Sequence, residues 1–99
     1  MRIDYQHKLA QDEAYRRISN LLLDLQGKYA GEIKNPESSW NSDNTIMDYS
    51  AEIMGSKVNG QITLKNGMIS LEGKIPFMAM IFSEEIEKRV RKKLEEILS

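Results

Sequence analysis

The chain of 99 residues has no cysteine, one histidine and two prolines. Without cysteine, it can form no disulfide framework, no thiolate metal site and no cysteine nucleophile. His7 has no second histidine to complete a metal site, and we expect it to bond the backbone near the following helix. No glycine-rich loop links a strand to a helix, so no phosphate site is predicted. We therefore expect no enzymatic activity, no metal and no cofactor.

Neither sign of charge dominates, because 14 Lys and Arg residues face 15 Asp and Glu residues, for a net charge of −1. A balanced chain has no long-range field that attracts nucleic acid or an anionic membrane. No apolar run approaches the roughly 20 residues of a membrane span, and the first residues lack the apolar core of a signal peptide. We expect a cytoplasmic protein. At this length about 65 % of the unfolded surface is buried on folding, which predicts a single domain over residues 1–99.

Two segments have the apolar periodicity of helices. Residues 11–30 carry a stripe on one face that consists of Ala14, Ile18, Leu21, Leu22, Leu25 and Tyr29. Residues 83–98 begin with Ser83, a good N-cap, and carry a narrower stripe of Ile86, Val90, Leu94 and Ile97. The second helix also has five basic residues, Lys88, Arg89, Arg91, Lys92 and Lys93, but five acidic ones balance them. This balance favours a solvated helix face over a phosphate-binding one.

The remaining segments alternate as strands do. One strand is predicted at residues 2–8, and four more are predicted at residues 32–35, 45–54, 57–65 and 68–75. Pro36 is expected to end the second strand, because it donates no ladder hydrogen bond. Asn66-Gly67 predicts a hairpin with a type I′ turn, which needs positive φ at both residues.

These elements predict an α+β fold in the order β-α-β-β-β-β-α. A curved antiparallel sheet packs against two helices on its inward face, in a reduced helix-grip arrangement, and the first strand pairs at an edge of the sheet. Alternation places a set of residues on the inward face as a candidate groove: Met47, Tyr49, Gly60, Ile62, Leu71 and Gly73. The two glycines either let the sheet curl around a helix or leave space for an apolar ligand.

The segment between the last strand and the last helix is the second candidate site. It contains no charge, and its apolar residues include two methionines, which adapt to irregular surfaces. Either the segment is a buried crossover, or it exposes an apolar contact surface made of Phe77, Met78, Met80 and Ile81.

Short motifs distributed along the chain give it a family resemblance. They are His7-Lys8-Leu9, Asp12-Glu13-Ala14, Arg16-Arg17-Ile18, Leu22 with Asp24-Leu25, Lys28-Tyr29-Ala30, Trp40, Val58-Asn59-Gly60-Gln61-Ile62, and Phe82 with Ile86, Val90 and Leu94. In order and spacing they resemble the polyhydroxyalkanoic acid system family, small bacterial proteins encoded in polyhydroxyalkanoate gene regions. The resemblance implies association with storage-polyester granules or their synthesis machinery, and it supplies no catalytic residues.

Two functions of different classes follow as hypotheses. The first is a non-enzymatic accessory protein that meets the polyester granule surface, or a granule-associated protein, through the apolar contact surface. The second is a small carrier that holds an acyl chain or another apolar ligand between the sheet and the C-terminal helix. Self-association into a homo-oligomer is compatible with both. An open groove at the inward-facing residues favours the carrier, and a filled core with Phe77, Met78 and Met80 outside favours surface binding.

Overall fold

The computed structural model describes residues 1–53, 55–74, 81 and 83–99. The described part of the chain contains five strands and two helices in the predicted order, which confirms the α+β class. They are β1 (Arg2–Gln6), α1 (Gln11–Lys28), β2 (Ile33–Trp40), β3 (Ile46–Ile53), β4 (Ser56–Lys65), β5 (Met68–Lys74) and α2 (Ser83–Leu98). The further likeness to a helix-grip arrangement stays a prediction.

The five strands form one antiparallel sheet in the order β1-β5-β4-β3-β2. β1 therefore lies at one edge, as predicted, and β2 lies at the other. α1 carries the chain from the first edge to the second, and the hairpins from β2 to β5 bring it back to pair with β1.

One row of apolar residues crosses all five strands on the inward face. The register aligns Ile3 with Leu71, Leu71 with Ile62, Ile62 with Met47 and Met47 with Trp40. α1 and α2 pack over this face, and Ile18, Leu94 and Leu98 complete the buried cluster. The opposite face is polar, as the alternation predicted, with Asp48 beside Gln61 and Asp4 beside Ser70.

β2 differs from the prediction, because it does not end at Pro36. It continues to Trp40 through a bulge, in which the two residues between Lys34 and Glu37 oppose a single residue of β3, Ala51. Asn35 at the bulge has a φ of 51°, a left-handed conformation that asparagine tolerates. An edge strand with a bulge can hold a proline without breaking the sheet, because the missing N–H costs no ladder bond there. The longer strand brings Trp40 edge-on to Tyr15 of α1, at 4.8 Å between ring centroids.

The hairpin predicted at Asn66-Gly67 is confirmed, but its turn type is not. Lys65 pairs with Met68 across a two-residue loop. Gly67 has a φ of 79°, whereas the φ of Asn66 is not positive. The turn therefore lacks the pair of left-handed residues that defines type I′.

Gly60 and Gly73 face each other across β4 and β5, on the inward face as predicted. A Cβ added at Gly60 would meet the backbone oxygen of Glu72 at 3.2 Å, and one added at Gly73 would meet that of Asn59 at 3.5 Å. No atom of α1 lies within 4 Å of either added Cβ. The space at both glycines is therefore limited by the backbone of the neighbouring strand and not by the N-terminal helix.

We predict that alanine at Gly73 leaves the stability of the fold intact, whereas alanine at Gly60 lowers it. Gly73→Ala should be neutral or stabilising by about 0.5 kcal/mol, because it restricts the unfolded chain without a close contact. Gly60→Ala should be less stable than Gly73→Ala by about 1 kcal/mol, since a backbone oxygen must shift. Urea unfolding of the two variants measures the difference, and equal midpoints would contradict this account of the sheet.

Arg17 ties the two helices together. Its Nη1 atom donates to the carbonyl oxygen of Ile97 at 2.9 Å, and its Nε atom lies 2.8 Å from a carboxylate oxygen of Glu13. Hydrogen bonds from Arg16 and Arg17 lower the pKa of Glu13 to about 2. Glu13 thus orients the arginine that holds the C-terminal end of α2.

This arrangement predicts a stability that depends on pH in a defined direction. Because the folded state favours the Glu13 carboxylate, its contribution is complete above the ordinary pKa of 4.5 and is lost as the pH falls towards 2. Glu13→Gln should therefore be less stable than the parent at about pH 6, and the gap should close on acidification. Urea titrations across this range measure the gap, with Glu95→Gln on the exposed face of α2 as the control. A gap that is independent of pH would show that Glu13 acts through packing alone.

Candidate functional site

An apolar groove lies between α1, α2 and the sheet, with a volume of about 460 Å³. We call it the helix-pair groove. Its apolar lining consists of Ile18, Leu21, Leu22, Leu25, Tyr29, Ile62, Leu71, Val90 and Leu94, and its remaining lining residues are Lys28, Arg89 and Lys93. The volume falls within the range of roughly 300–1,000 Å³ that is usual for small-molecule sites.

The groove exists because the two helices do not close over the sheet along their whole length. Near the bond from Arg17 to Ile97 the packing is tight, and Ile18 and Leu94 are buried. Further along α1, Leu22 and Leu25 are only half-buried, and so is Val90 on α2. The apolar stripe of α1 is thus wider than the area that α2 covers. The uncovered apolar side chains of α1 remain partly exposed to water.

The polar part of the groove is cationic. Within the part of the chain that the structure describes, no acidic side chain lines it. Arg89 pairs with Glu85 at 2.9 Å and Lys93 with Glu96 at 3.7 Å, both within α2. Such exposed pairs within a helix contribute little energy, so both cations can exchange their partners for a ligand at small cost.

Lys28 completes this rim from α1. Its Nζ atom lies 5.5 Å from the centre of the Tyr29 ring, within the range of a cation–π contact. Lys28 and Lys93 also line a second depression on the outer side of the helix pair, together with Arg17 and Asp24. The two lysines therefore stand between two depressions, and only the inner one is predominantly apolar.

The structure distributes the six residues of the predicted groove over three environments. Ile62 and Leu71 line the helix-pair groove. Met47 is 1 % exposed and belongs to the filled core. Gly60 and Gly73 line a polar depression at the end of the sheet, and half-buried Tyr49 shares a similar one with Gly60. The structure thus brings two of the six predicted residues to an apolar site.

The predicted contact surface falls largely on residues whose structure is not described. Phe77, Met78 and Met80 lie outside the described residues. Ile81 is described, and it is 81 % exposed just before α2. Leu23 on α1, outside the predicted contact surface, is 66 % exposed.

His7 serves the turn between β1 and α1. Its Nδ1 atom accepts a hydrogen bond from the backbone N–H of Leu9 at 3.1 Å, and its backbone N–H donates to the carbonyl oxygen of Gly67. The Nε2 atom is buried without a partner among the described residues, and burial lowers the pKa of the ring. The imidazole is therefore neutral, with its proton on the buried Nε2 atom. Its Nδ1 atom holds the loop before the helix and is already engaged by the Leu9 N–H.

Among residues 1–53, 55–74, 81 and 83–99, no three acidic or histidine side chains are grouped as metal ligands would be. In the same residues, neither helix has the length and apolar character needed to cross a membrane.

Sequence reasoning placed a groove between the sheet and the C-terminal helix, but it built the groove from sheet residues alone and missed the lining that the two helices contribute. The cations that flank the stripes were the available signal. Lys28 lies one turn beyond Leu25 on α1, and Arg89 and Lys93 flank Val90 on α2. Their convergence depends on how the helices lie side by side, which no single segment encodes.

The geometry defines a small α+β protein in which two helices and one sheet face form an apolar groove with a cationic rim. The family model described as "putative polyhydroxyalkanoic acid system protein" matches residues 1–98, and the chain belongs to this family, as its resemblance indicated. The comparisons with curated proteins and with solved structures found no match.

We predict that the groove accepts a larger side chain while the core does not. Val90→Phe projects into the groove and should change stability by less than about 1 kcal/mol. Ala51→Phe, at a side chain that is 3 % exposed, should cost about 1–3 kcal/mol through overpacking. Denaturant midpoints of the two variants measure the contrast, and a Val90→Phe variant as unstable as Ala51→Phe would show that the groove is closed in solution.

Proposed function

We propose that this chain is a non-enzymatic accessory protein of the polyhydroxyalkanoate storage system. It associates with the granule, or with the synthesis machinery at the granule, through the apolar contact surface of Phe77, Met78, Met80 and Ile81. The observation that carries the proposal is the exposure of Ile81, since a large apolar side chain that is 81 % exposed is available to a partner. Membership of the polyhydroxyalkanoic acid system family supplies the context.

The energetics favour an apolar mechanism. A polyester surface has no pattern of ionic charge, so a protein binds it by removing apolar area from water. At about 25 cal/mol per Å², covering some 300 Å² contributes roughly 7 kcal/mol before ordering costs. Two or three large apolar side chains as exposed as Ile81 supply an area of this size, whereas the polar outer face of the sheet does not.

The engagement of His7 supports the non-enzymatic part of the proposal. Its Nδ1 atom is occupied by the backbone of Leu9, and its Nε2 atom is buried. General acid or base catalysis needs a titrating group within hydrogen-bond reach of a substrate, and one ring nitrogen of this half-buried histidine is occupied while the other is buried.

Retention on polyester particles tests the proposal. The parent should bind at low and at high salt, because ionic screening leaves apolar contacts largely intact. Ile81→Glu should weaken retention by about tenfold, because a charge must be brought against the polymer. Leu23→Glu on α1 is the matched control, since it makes the same change at an exposed apolar residue outside the contact surface.

Met78→Glu combined with Met80→Glu tests the rest of the surface. This double variant should fold with the parent's circular dichroism spectrum and lose retention. Parent binding that disappears in high salt would overturn the apolar mechanism. A double variant that unfolds would assign these methionines to the core, and equal losses in Ile81→Glu and Leu23→Glu would show that no specific surface is used.

A further inference from the structure

We propose that the helix-pair groove binds a single acyl chain that ends in a carboxylate, a medium-chain alkanoate. The chain lies against the sheet floor between the helices, and the carboxylate meets the rim of Lys28, Arg89 and Lys93. This inference is independent of the granule association, because it concerns a soluble amphiphile and a different part of the molecule.

The apolar half of the ligand is indicated by the floor and walls of the groove. Ile62 and Leu71 form the floor, on the row that crosses the whole sheet. Leu22 and Leu25 form one wall, and Val90 belongs to the other. Because several of these side chains are only half-buried, an acyl chain removes apolar area from water without displacing any core residue.

The anionic half of the ligand is indicated by the rim. Among the described residues, three cations and no acid line the groove, in a chain whose net charge is −1. The acid partners Glu85 and Glu96 are exposed and lie outside the lining. A carboxylate at the rim therefore gains charge-assisted hydrogen bonds, while the two ion pairs that it replaces are worth little.

The combination of the two halves selects this ligand over other occupants. A neutral polymer makes no use of three cations, and a small inorganic anion makes no use of nine apolar side chains. A groove of about 460 Å³ is of the size that holds one small molecule. Only an amphiphile with one anionic end satisfies both the lining and the rim.

Titration calorimetry of the full chain with decanoate, below its micelle concentration, tests the proposal. Decanol and butanoate are the comparators, because each keeps one half of the ligand and lacks the other. Decanoate should bind at least fivefold more tightly than either comparator. Added sodium chloride should weaken decanoate binding and leave decanol binding largely unchanged, since only the former includes an exposed ionic contact.

Variants locate the ligand within the molecule. Lys28→Gln and Lys93→Gln should each weaken decanoate binding by about two- to fivefold, the range of an exposed ion pair. Lys92→Gln is the matched control, because Lys92 lies on the same helix and outside the groove lining. Val90→Phe should abolish binding by occupying the groove.

Two outcomes would overturn the inference. Equal affinity for decanoate and decanol would show that the rim binds no carboxylate. Binding that survives Val90→Phe but is weakened by the lysine variants would place the anion in the outer depression beside Asp24. If Val90→Phe fails to fold, methyl chemical shifts in the parent decide the point, since decanoate must perturb Leu22, Leu25 and Leu71 and leave Leu23 unchanged.

Discussion

The pairing of β1 with β5 determines where every other element can lie. It joins the beginning of the chain to the last strand and leaves β2 at the opposite edge of the sheet. The connection from β1 to β2 must therefore span the sheet. α1 has 18 residues, a length of about 27 Å, and four gaps between five strands measure about 19 Å. One helix is thus long enough to cross the whole inward face.

The position of α2 follows from that crossing. Since α1 packs against the middle of the sheet, α2 is left beside α1 and next to β1. Two helices that share one sheet face meet where Arg17 reaches Ile97 and separate elsewhere, and the sheet forms a floor below the gap. The helix-pair groove is therefore a product of topology, and its apolar lining is the part of the α1 stripe that α2 does not cover.

Local patterns predicted most of this architecture. The period of two placed Met47, Ile62 and Leu71 on one face, and the register aligns them in one row. The apolar stripes predicted both helices, and α2 has the predicted bounds. The bulge at Asn35 could not be predicted, because it depends on the pairing of β2 with β3 and on β2 being an edge strand. The turn at Asn66-Gly67 follows the geometry of its strands more closely than it follows residue preference.

The candidate site was less predictable than the fold, for a physical reason. Apolar side chains are the same whether they complete a core or line a groove, and only the spacing between helices distinguishes the two. Ile62 and Leu71 were found because they lie on the sheet, whose alternation is local. The rim of Lys28, Arg89 and Lys93 was not found, because it joins two helices that are distant in sequence.

The bulge in β2 also affects how copies of the protein behave at high local concentration. An edge strand offers unpaired N–H and C=O groups to any neighbouring chain, and extended flat edges lead to intermolecular sheets. At one edge of this sheet, Pro36 lacks the donor and the bulge interrupts the ladder. At the other edge, Arg91 of α2 donates to the carbonyl oxygen of Asp4 and occupies an acceptor. Each edge thus carries a feature that hinders strand-by-strand growth, which lowers the tendency of neighbouring copies to form a continuous β-aggregate.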